Sequence, residues 1–206
     1  MNKLQDLVSD IHQSLSSHQP SETDLQKFLA DVSDSVTKAF SNRDEEGIVR
    51  NPLRFSSIGK PSRQLWYASR IADQAEPIHP STRIKFLYGD IIEQLVLLLI
   101  KTAGYEVTDE QGEKKVDGIT GHMDARVNGV VVDIKSASQY GFDKFVKGTI
   151  FEDDPFGYIA QLSGYADGED EAAFIVMNKV TGQLHVCTVD SMEMIDFKKK
   201  VKDVNL

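Results

Sequence analysis

Ionisable side chains lie close together in the stretch Gly121 to Ser136, whose sequence is G-H-M-D-A-R-V-N-G-V-V-V-D-I-K-S. Asn128-Gly129 near its middle is typical of a two-residue type I′ turn, because such a turn needs positive φ at both residues. The turn predicts an antiparallel hairpin with three apolar pairs on one face: Val127 with Val130, Ala125 with Val132, and Met123 with Ile134. We expect that face to belong to a hydrophobic core.

The other face of the predicted hairpin carries the residues that could do chemistry. It pairs Asp124 with Asp133, and His122 with Lys135. Directly opposed residues lie about 4.5–5.5 Å apart at Cβ, where like charges destabilise a sheet. Two remedies are open. Either the aspartates are exposed or have a raised pKa, or a hard divalent cation lies between them with Lys135 beside it.

A long helix must position a further carboxylate. Residues 81–103 predict a central helix that ends with Gly104 at the C′ position. Apolar residues cover much of its circumference, so the helix is expected to be buried. Glu93 within it must then be paired or bound to a metal, since an isolated buried carboxylate is costly. The alternative is a glutamate on an exposed side of the helix. Residues 105–108 and 115–119 predict short strands between this helix and the hairpin.

These residues resemble a known group of proteins. Asp124, eight intervening residues and then Asp133-Ile134-Lys135 resemble the D…(D/E)-x-K core of the PD-(D/E)XK nucleases. Three segments resemble motifs of the RecB-like and lambda-exonuclease-like branch. Gly121 to Asp124 is similar to the G-x-x-D motif of that branch, and Gly89 to Glu93 is similar to its helical G-x-x-x-E motif. Gln161 to Tyr165 is similar to its Q-x-x-x-Y motif. The alternative for the last pair is a structural tyrosine with a surface glutamine.

The segment Arg54 to Tyr67 extends the resemblance, which covers residues 54–190. It is similar to the S-x-I-G-x-(C)-x-R-x-L-x-Y motif of the same branch, and it implies DNA contacts by Arg54, Ser57, Lys60 and Arg63 near a helix N-terminus. Relatives with an iron–sulfur cluster carry cysteine in this motif, whereas this chain has Pro61-Ser62, so no cluster is expected.

The resemblance implies metal-dependent hydrolysis of DNA phosphodiester bonds. The implied metal ligands are the carboxylates of Glu93, Asp124 and Asp133 and the carbonyl of Ile134, a set of oxygens that suits Mg²⁺, with Mn²⁺ as a substitute. Lys135 would orient the attacking water or stabilise negative charge. His122 shares the face of the two aspartates in the predicted hairpin, and as a catalytic residue it would contact substrate or only shield the carboxylates. The resemblance also implies Gln161 and Tyr165, which would contact the DNA strand or groups around the metal ligands.

An exonuclease that acts on linear DNA, in recombination, repair or phage DNA processing, is therefore the first hypothesis. A structure-specific endonuclease is one alternative, and a DNA-binding or assembly protein that keeps the nuclease fold without turnover is another. The partners implied are linear duplex DNA or single-stranded DNA ends, with a second copy of the chain or a recombination or single-strand-binding protein as further possibilities.

Composition is compatible with these hypotheses but also limits them. A net charge of −9 argues against a general nucleic-acid binder, yet residues 49–85 hold seven basic and two acidic residues, which predicts a local basic patch. The alternative is an ordinary solvated surface.

The single cysteine, Cys187, excludes an intrachain disulfide framework and favours a reducing compartment. Without a signal-peptide pattern or membrane span, the expected location is the cytoplasm, that of the host if the protein is phage-encoded.

The expected fold class is α/β, with a central mixed β-sheet flanked by helices in a restriction-endonuclease-like arrangement. Residues 1–48 predict an N-terminal helical hairpin and residues 49–206 the nuclease domain, joined by a polar linker at 41–52. The second helix of the hairpin starts at a capping box, Ser21 to Asp24, and six apolar residues are expected to face inward: Leu25, Phe28, Leu29, Val32, Val36 and Phe40. The hairpin either packs on the main domain or forms an arm for oligomerisation or a partner.

Overall fold

The computed structural model describes residues 3–41, 53–70 and 78–205. The described residues form an α/β fold with a mixed five-stranded sheet and a separate two-stranded sheet. The helices are α1 Leu7–Ser17, α2 Glu22–Phe40, α3 Ser62–Arg70, α4 Pro80–Thr102, α5 Gln139–Val146, α6 Tyr158–Tyr165 and α7 Phe197–Asn205. The strands are β1 Val107–Thr108, β2 Gly112–Val116, β3 Ile119–Met123, β4 Ala125–Val127, β5 Val130–Ala137, β6 Glu171–Asn178 and β7 Leu184–Asp190. Short 3₁₀ turns lie at Phe55–Ser57 and Thr149–Phe151.

The large sheet has the strand order β1-β4-β5-β6-β7. Its β4–β5 hairpin has the predicted turn, with φ of 48° at Asn128 and 81° at Gly129. The predicted pairs of Val127 with Val130 and Ala125 with Val132 are confirmed. Strand β5 runs parallel to β6, and β6 is antiparallel to β7. The predicted mixed sheet with flanking helices is therefore confirmed.

The predicted hairpin is wrong beyond Ala125, because the strand breaks at Asp124. The preceding residues form strand β3, which is not part of the large sheet and pairs with β2 instead. This pairing places Met123 opposite Gly112 and His122 opposite Glu113. The Ile134 N–H donates to Asp124 Oδ2 at 2.6 Å, so a side chain takes the place of a backbone partner. Neither the Met123–Ile134 pair nor the His122–Lys135 pair exists.

The strand predicted over residues 115–119 is also wrong. Asp117 and Gly118 have φ of 47° and 83°, and they form the turn between β2 and β3. Asp-Gly is a preferred sequence for such a turn, since both residues tolerate positive φ.

Two hydrophobic cores cover the two faces of the large sheet. Alternate residues of β5 divide between them, so that Val132 and Ile134 lie in one core and Val131 lies in the other. Helices α1 and α4 cover the Ile134 face, while α5, α6 and α7 cover the Val131 face. Asp133 is on the Val131 face, as the period of two along a strand requires.

The N-terminal helices pack in different ways. Helix α1 buries Leu7 and Ile11 in the same core as α4, and Leu4 in the preceding turn joins them. Helix α2, in contrast, lies on α4 without a single buried residue. The predicted burial of the α2 stripe is thus wrong, and Phe40 is 81% exposed. Charged contacts hold α2 instead, among them Lys27 Nζ at 3.6 Å from Glu110 Oε2. Residues 42–52, with the predicted linker and the division at residue 48, lie outside the described residues.

Candidate active site

A buried ion pair lies at the centre of the candidate site. Asp133 and Lys135 project from the same face of β5, and Asp133 Oδ2 lies 2.6 Å from Lys135 Nζ. Asp133 is fully buried, and the Lys135 side chain is 17% exposed. Burial lowers the pKa of Lys135, but the negative charges of Asp133 and Asp124 outweigh burial, so the pKa is raised. Lys135 is therefore a permanent cation at neutral pH.

Asp124 and Asp133 approach each other although they are not cross-strand partners. Burial raises the pKa of Asp124 well above its ordinary value, and repulsion by Asp133 and Glu93 adds to the effect. Burial likewise raises the pKa of Asp133, against the opposing influence of Lys135. Of the alternatives left open by the sequence, solvent exposure does not describe the buried Asp133, and a raised pKa accords with the burial of both groups.

Glu93 reaches the same group from α4. Its pKa is raised to about 7 by burial, then by repulsion from Asp90 and Asp133. The Gln111 side-chain amide donates to Glu93 Oε1 at 2.6 Å, and the Gln111 backbone N–H donates to the Asp124 carbonyl at 3.0 Å. A cavity of about 320 Å³ between α2 and α4 is lined by Glu93 and Gln111. The carboxylate of Glu93 thus lines an open space and is near enough to the aspartates to repel them.

A chain of polar contacts continues from Lys135 to α6. Lys135 Nζ donates to Gln161 Oε1 at 3.2 Å, and Gln161 Nε2 donates to the Tyr165 hydroxyl oxygen at 3.3 Å. Tyr165 is buried, and burial raises its pKa to about 12. The predicted Gln161–Tyr165 pair therefore lies on one side of α6 and faces Lys135.

The segment 54–60 is held against this helix by Phe55. The Phe55 ring stacks on Tyr165 at 4.9 Å between centroids and on Phe197 at 4.7 Å. A Cβ at Gly121 or Gly164 would lie within 2.6 Å of the Phe55 ring, so glycine is required at both positions. The segment thus packs directly on the elements that carry the candidate site.

The predicted DNA-binding residues differ in what they offer. Arg54, Lys60 and Arg63 are exposed or partly exposed cations at the surface. Ser57 is less available, because its hydroxyl accepts from the Arg54 N–H at 3.0 Å and donates to the Arg54 carbonyl at 3.0 Å. Its contacts stabilise the 3₁₀ turn, whereas the three cations remain at the surface.

His122 is exposed on the two-stranded sheet. The cross-strand contact with Lys135 that motivated its predicted role is absent, since its partner is Glu113. A part in catalysis for His122 stays a prediction without geometric support.

Two further residues belong to the site and were not predicted. Gln111 lies between the two short strands predicted over residues 105–108 and 115–119, and no sequence signal indicates its contact with Glu93. Lys135 Nζ lies 5.0 Å from the centroid of the Tyr158 ring, at the start of α6. The position of Tyr158, three residues before Gln161 on the same helix, could have indicated that it faces the site.

The donor set can be tested for its fit to a divalent cation. Both carboxylate oxygens of Asp133 are buried. Oδ2 contacts the Lys135 ammonium at 2.6 Å, whereas Oδ1 accepts no hydrogen bond from the described residues. A buried oxygen without a donor, beside a second aspartate, suits a hard cation that needs only one or two carboxylates. In the described part of the chain, however, no three His, Cys, Asp or Glu side chains are grouped closely enough to hold a metal ion.

Comparisons with known proteins give only distant likenesses. No family model and no curated protein matches the chain. A crystal structure of an alkaline exonuclease from Laribacter hongkongensis, LHK-Exo, is 15% identical with a TM-score of 0.48, over 74% of this chain and 84% of that one. SSO0001 is 18% identical with a TM-score of 0.49, over 88% and 84% of the two chains. LHK-Exo in complex with dAMP is 15% identical with a TM-score of 0.43, over 84% and 81%. Such likeness concerns the path of the chain and identifies no functional residue.

No helix of the described residues combines the length and the apolar character that crossing a membrane requires.

Proposed function

We propose that this protein is a Mg²⁺-dependent deoxyribonuclease that acts as an exonuclease on linear DNA. The observation that supports it best is the buried Asp133–Lys135 pair, in which Asp133 Oδ1 accepts no hydrogen bond within the described residues. A protein interior rarely keeps such oxygens, and functional sites are a frequent exception. The setting is the cytoplasm, in recombination, repair or phage DNA processing.

Asp133 and Asp124 would hold the metal, with the Ile134 carbonyl as a third oxygen and Glu93 as a further carboxylate. Bound there, Mg²⁺ would lower the pKa of an attacking water and offset charge on the scissile phosphate. Glu93 would have to exchange its hydrogen bond with Gln111 for this role, because the three carboxylates are not grouped as a ready cluster.

Lys135 would act as a fixed positive charge and not as a base, because its raised pKa keeps it protonated. Its ammonium group would orient the attacking water or stabilise charge on a phosphate oxygen. Gln161 would hold the ammonium group through Oε1, and the Tyr165 hydroxyl would fix the orientation of the Gln161 amide. Lys135, Gln161 and Tyr165 would therefore each have a separate role.

A degradation assay tests the proposal. Linear duplexes labelled at the 5′ or the 3′ end, a circular duplex and a flap duplex are incubated with Mg²⁺ or with EDTA. We expect Mg²⁺-dependent loss of the linear substrate, with little loss of the circle. In Lys135→Met, whose side chain has similar length without charge, the rate should fall by about 10²-fold or more. Wild-type rates in this variant, or equal rates with EDTA, would refute the mechanism.

A second candidate function is DNA binding or assembly without turnover. It is favoured by the contacts of the carboxylates, since Glu93 already binds Gln111 and Asp124 already binds the Ile134 N–H. In that case the assay would show binding of every labelled DNA and cleavage of none. Cleavage only at the flap would instead indicate a structure-specific endonuclease.

A further inference from the structure

An exposed aromatic side chain lies next to the candidate site. Phe156 is 65% exposed and stacks on Tyr158, with ring centroids 5.4 Å apart and an angle of 26° between the rings. Tyr158 in turn stacks on the buried Phe145, at 6.1 Å and 27°. Tyr158 therefore contacts both a ring in the core and a ring at the surface. The outermost ring thus has firm support beneath it.

The turn that presents Phe156 is held rigidly. The Asp154 carboxylate accepts from the N–H groups of Gly157 at 2.9 Å and Ile159 at 2.8 Å. Gly157 has a φ of 75° and touches Gly59, so that a Cβ on Gly157 would lie only 2.4 Å from the Gly59 Cα. The turn is therefore pinned to the segment 54–60, and Phe156 is not on a loose loop.

Two lysines lie near the exposed ring. Lys135 Nζ is 5.0 Å from the Tyr158 centroid, which is itself 5.4 Å from the Phe156 centroid, so Lys135 lies no more than 10.4 Å from the Phe156 ring. Lys60 is exposed and directly follows Gly59, which touches the turn. The phosphates of a strand that stacks on Phe156 would therefore have cations close by.

The acidic residues that precede the turn have different surroundings. Asp153 is paired with Lys144, whereas Asp154 accepts from two backbone N–H groups and keeps its negative charge. Glu152, which is exposed, is the remaining acid of that run. An exposed aromatic ring close to cations is an arrangement by which proteins hold unpaired bases, since each base offers a flat face for stacking while its phosphates meet the positive charge.

We propose that Phe156, supported by Tyr158, is a stacking platform for an unpaired nucleobase at the end of a DNA strand. The inference rests on the proposed function, and it adds the class of substrate: a single-stranded or frayed end, whose backbone passes from Lys60 to Lys135. A base inside a duplex cannot lie flat on the ring, because its two neighbours in the stack occupy both of its faces, and a paired base at a duplex end offers only its outer face. The platform therefore favours strands whose last base is free.

Binding of a fluorescent oligonucleotide tests this platform. The probe is a single-stranded 12-mer with 2-aminopurine at one terminus, whose fluorescence is quenched by stacking, with Ca²⁺ in place of Mg²⁺ to prevent turnover. Phe156→Ala should bind about 5- to 100-fold more weakly, the value of one base–aromatic stack, and should lose the quenching. Phe156→Trp should keep both. Phe156→Leu, which keeps the apolar surface without the ring, should lose the quenching.

The controls separate this inference from the proposed function. Phe40→Ala removes another exposed phenylalanine, on α2, and should bind like the wild type. An oligonucleotide with an abasic terminus should bind equally to the wild type and to Phe156→Ala. If the wild type degrades DNA while Phe156→Ala retains its affinity, its quenching and its rate on frayed ends, the platform is refuted and the nuclease stands. If the wild type neither binds nor degrades DNA, both proposals are wrong.

Discussion

Replacing Glu93 by glutamine separates the charge of this residue from its shape. The Gln111 amide donates to Glu93 Oε1 at 2.6 Å, and it can donate equally well to the carbonyl of a glutamine. The variant should therefore keep the local packing and lose only the negative charge. Any change in its pH dependence or metal response then reports on that charge.

The expected size follows from the pKa of Glu93, which rises from its ordinary value of 4.5 to about 7 in the folded protein. A carboxyl group with a raised pKa binds more protons when folded, so its contribution to stability is lost as pH rises from 4.5 to about 7. The loss is about 3 kcal/mol at pH 8, since each pKa unit corresponds to about 1.4 kcal/mol. Glu93→Gln should escape this loss. The free energy of unfolding of the variant should equal that of the wild type near pH 4.5 and exceed it by about 3 kcal/mol at pH 8.

Urea and thermal denaturation at several pH values measure this difference. In EDTA at pH 8 the melting temperature of Glu93→Gln should exceed that of the wild type by roughly 6–12 °C, for a chain of this size. Mg²⁺ should then stabilise the wild type by about 2.7 kcal/mol at a hundredfold excess over Kd, and more at pH 8 than at pH 5. The variant should lose most of that gain. Parallel pH curves and equal Mg²⁺ shifts for the two proteins would show that Glu93 has neither a raised pKa nor a metal to bind.

Two further predictions use the other charged residues. Asp133→Asn should destabilise the protein by about 3 kcal/mol in EDTA, because it removes the negative charge that pairs with the buried Lys135 ammonium. Asp124→Asn should cost less, because the asparagine oxygen can still accept from the Ile134 N–H and the repulsion with Asp133 is relieved. Equal losses of unfolding free energy for the two variants in urea titrations would contradict this prediction. Lys60→Glu combined with Arg63→Glu should weaken DNA binding and flatten its log–log salt dependence by roughly 0.9 for each phosphate that the protein no longer neutralises; an unchanged slope would place the DNA elsewhere.

The hairpin shows how far sequence alone can predict this fold. Asn128-Gly129 specifies its turn locally, and the adjacent pairs follow from the period of two. The prediction failed at Asp124, since apolar alternation continues through Met123 and gives no sign that the strand has changed partner. What ends the pairing is a hydrogen bond from the Ile134 N–H to a side chain, an interaction that periodicity cannot reveal.

The site shows the same division between local and tertiary information. Asp133 and Lys135 lie together because residues i and i+2 share a face of any strand. Glu93 was predicted from the cost of a charge inside an apolar helix. Gln111 could not be predicted, because its role depends on a turn that brings its amide against a helix residue eighteen positions earlier in the chain. The apolar stripe of α2 led to a wrong prediction of burial. Amphipathic spacing predicts that a helix forms, but it does not predict which part of the protein covers its apolar face.

The directions of the pKa shifts point to what the site lacks. Asp124, Asp133 and Glu93 all have raised pKa values, and so does Lys135. Each of these groups therefore holds its proton more tightly than it would in water, which makes the net charge of the site more positive. One lysine thus does not balance three carboxylates away from water, and either protons or a cation must supply the difference. Asp124 accepts from the Ile134 N–H, Glu93 accepts from Gln111, and Asp133 Oδ2 contacts Lys135. Because Asp133 Oδ1 accepts no hydrogen bond from the described residues, we infer that a cation would bind first at that oxygen. Glu93, held by a neutral side chain and lining an open cavity, is the carboxylate that can move to join it.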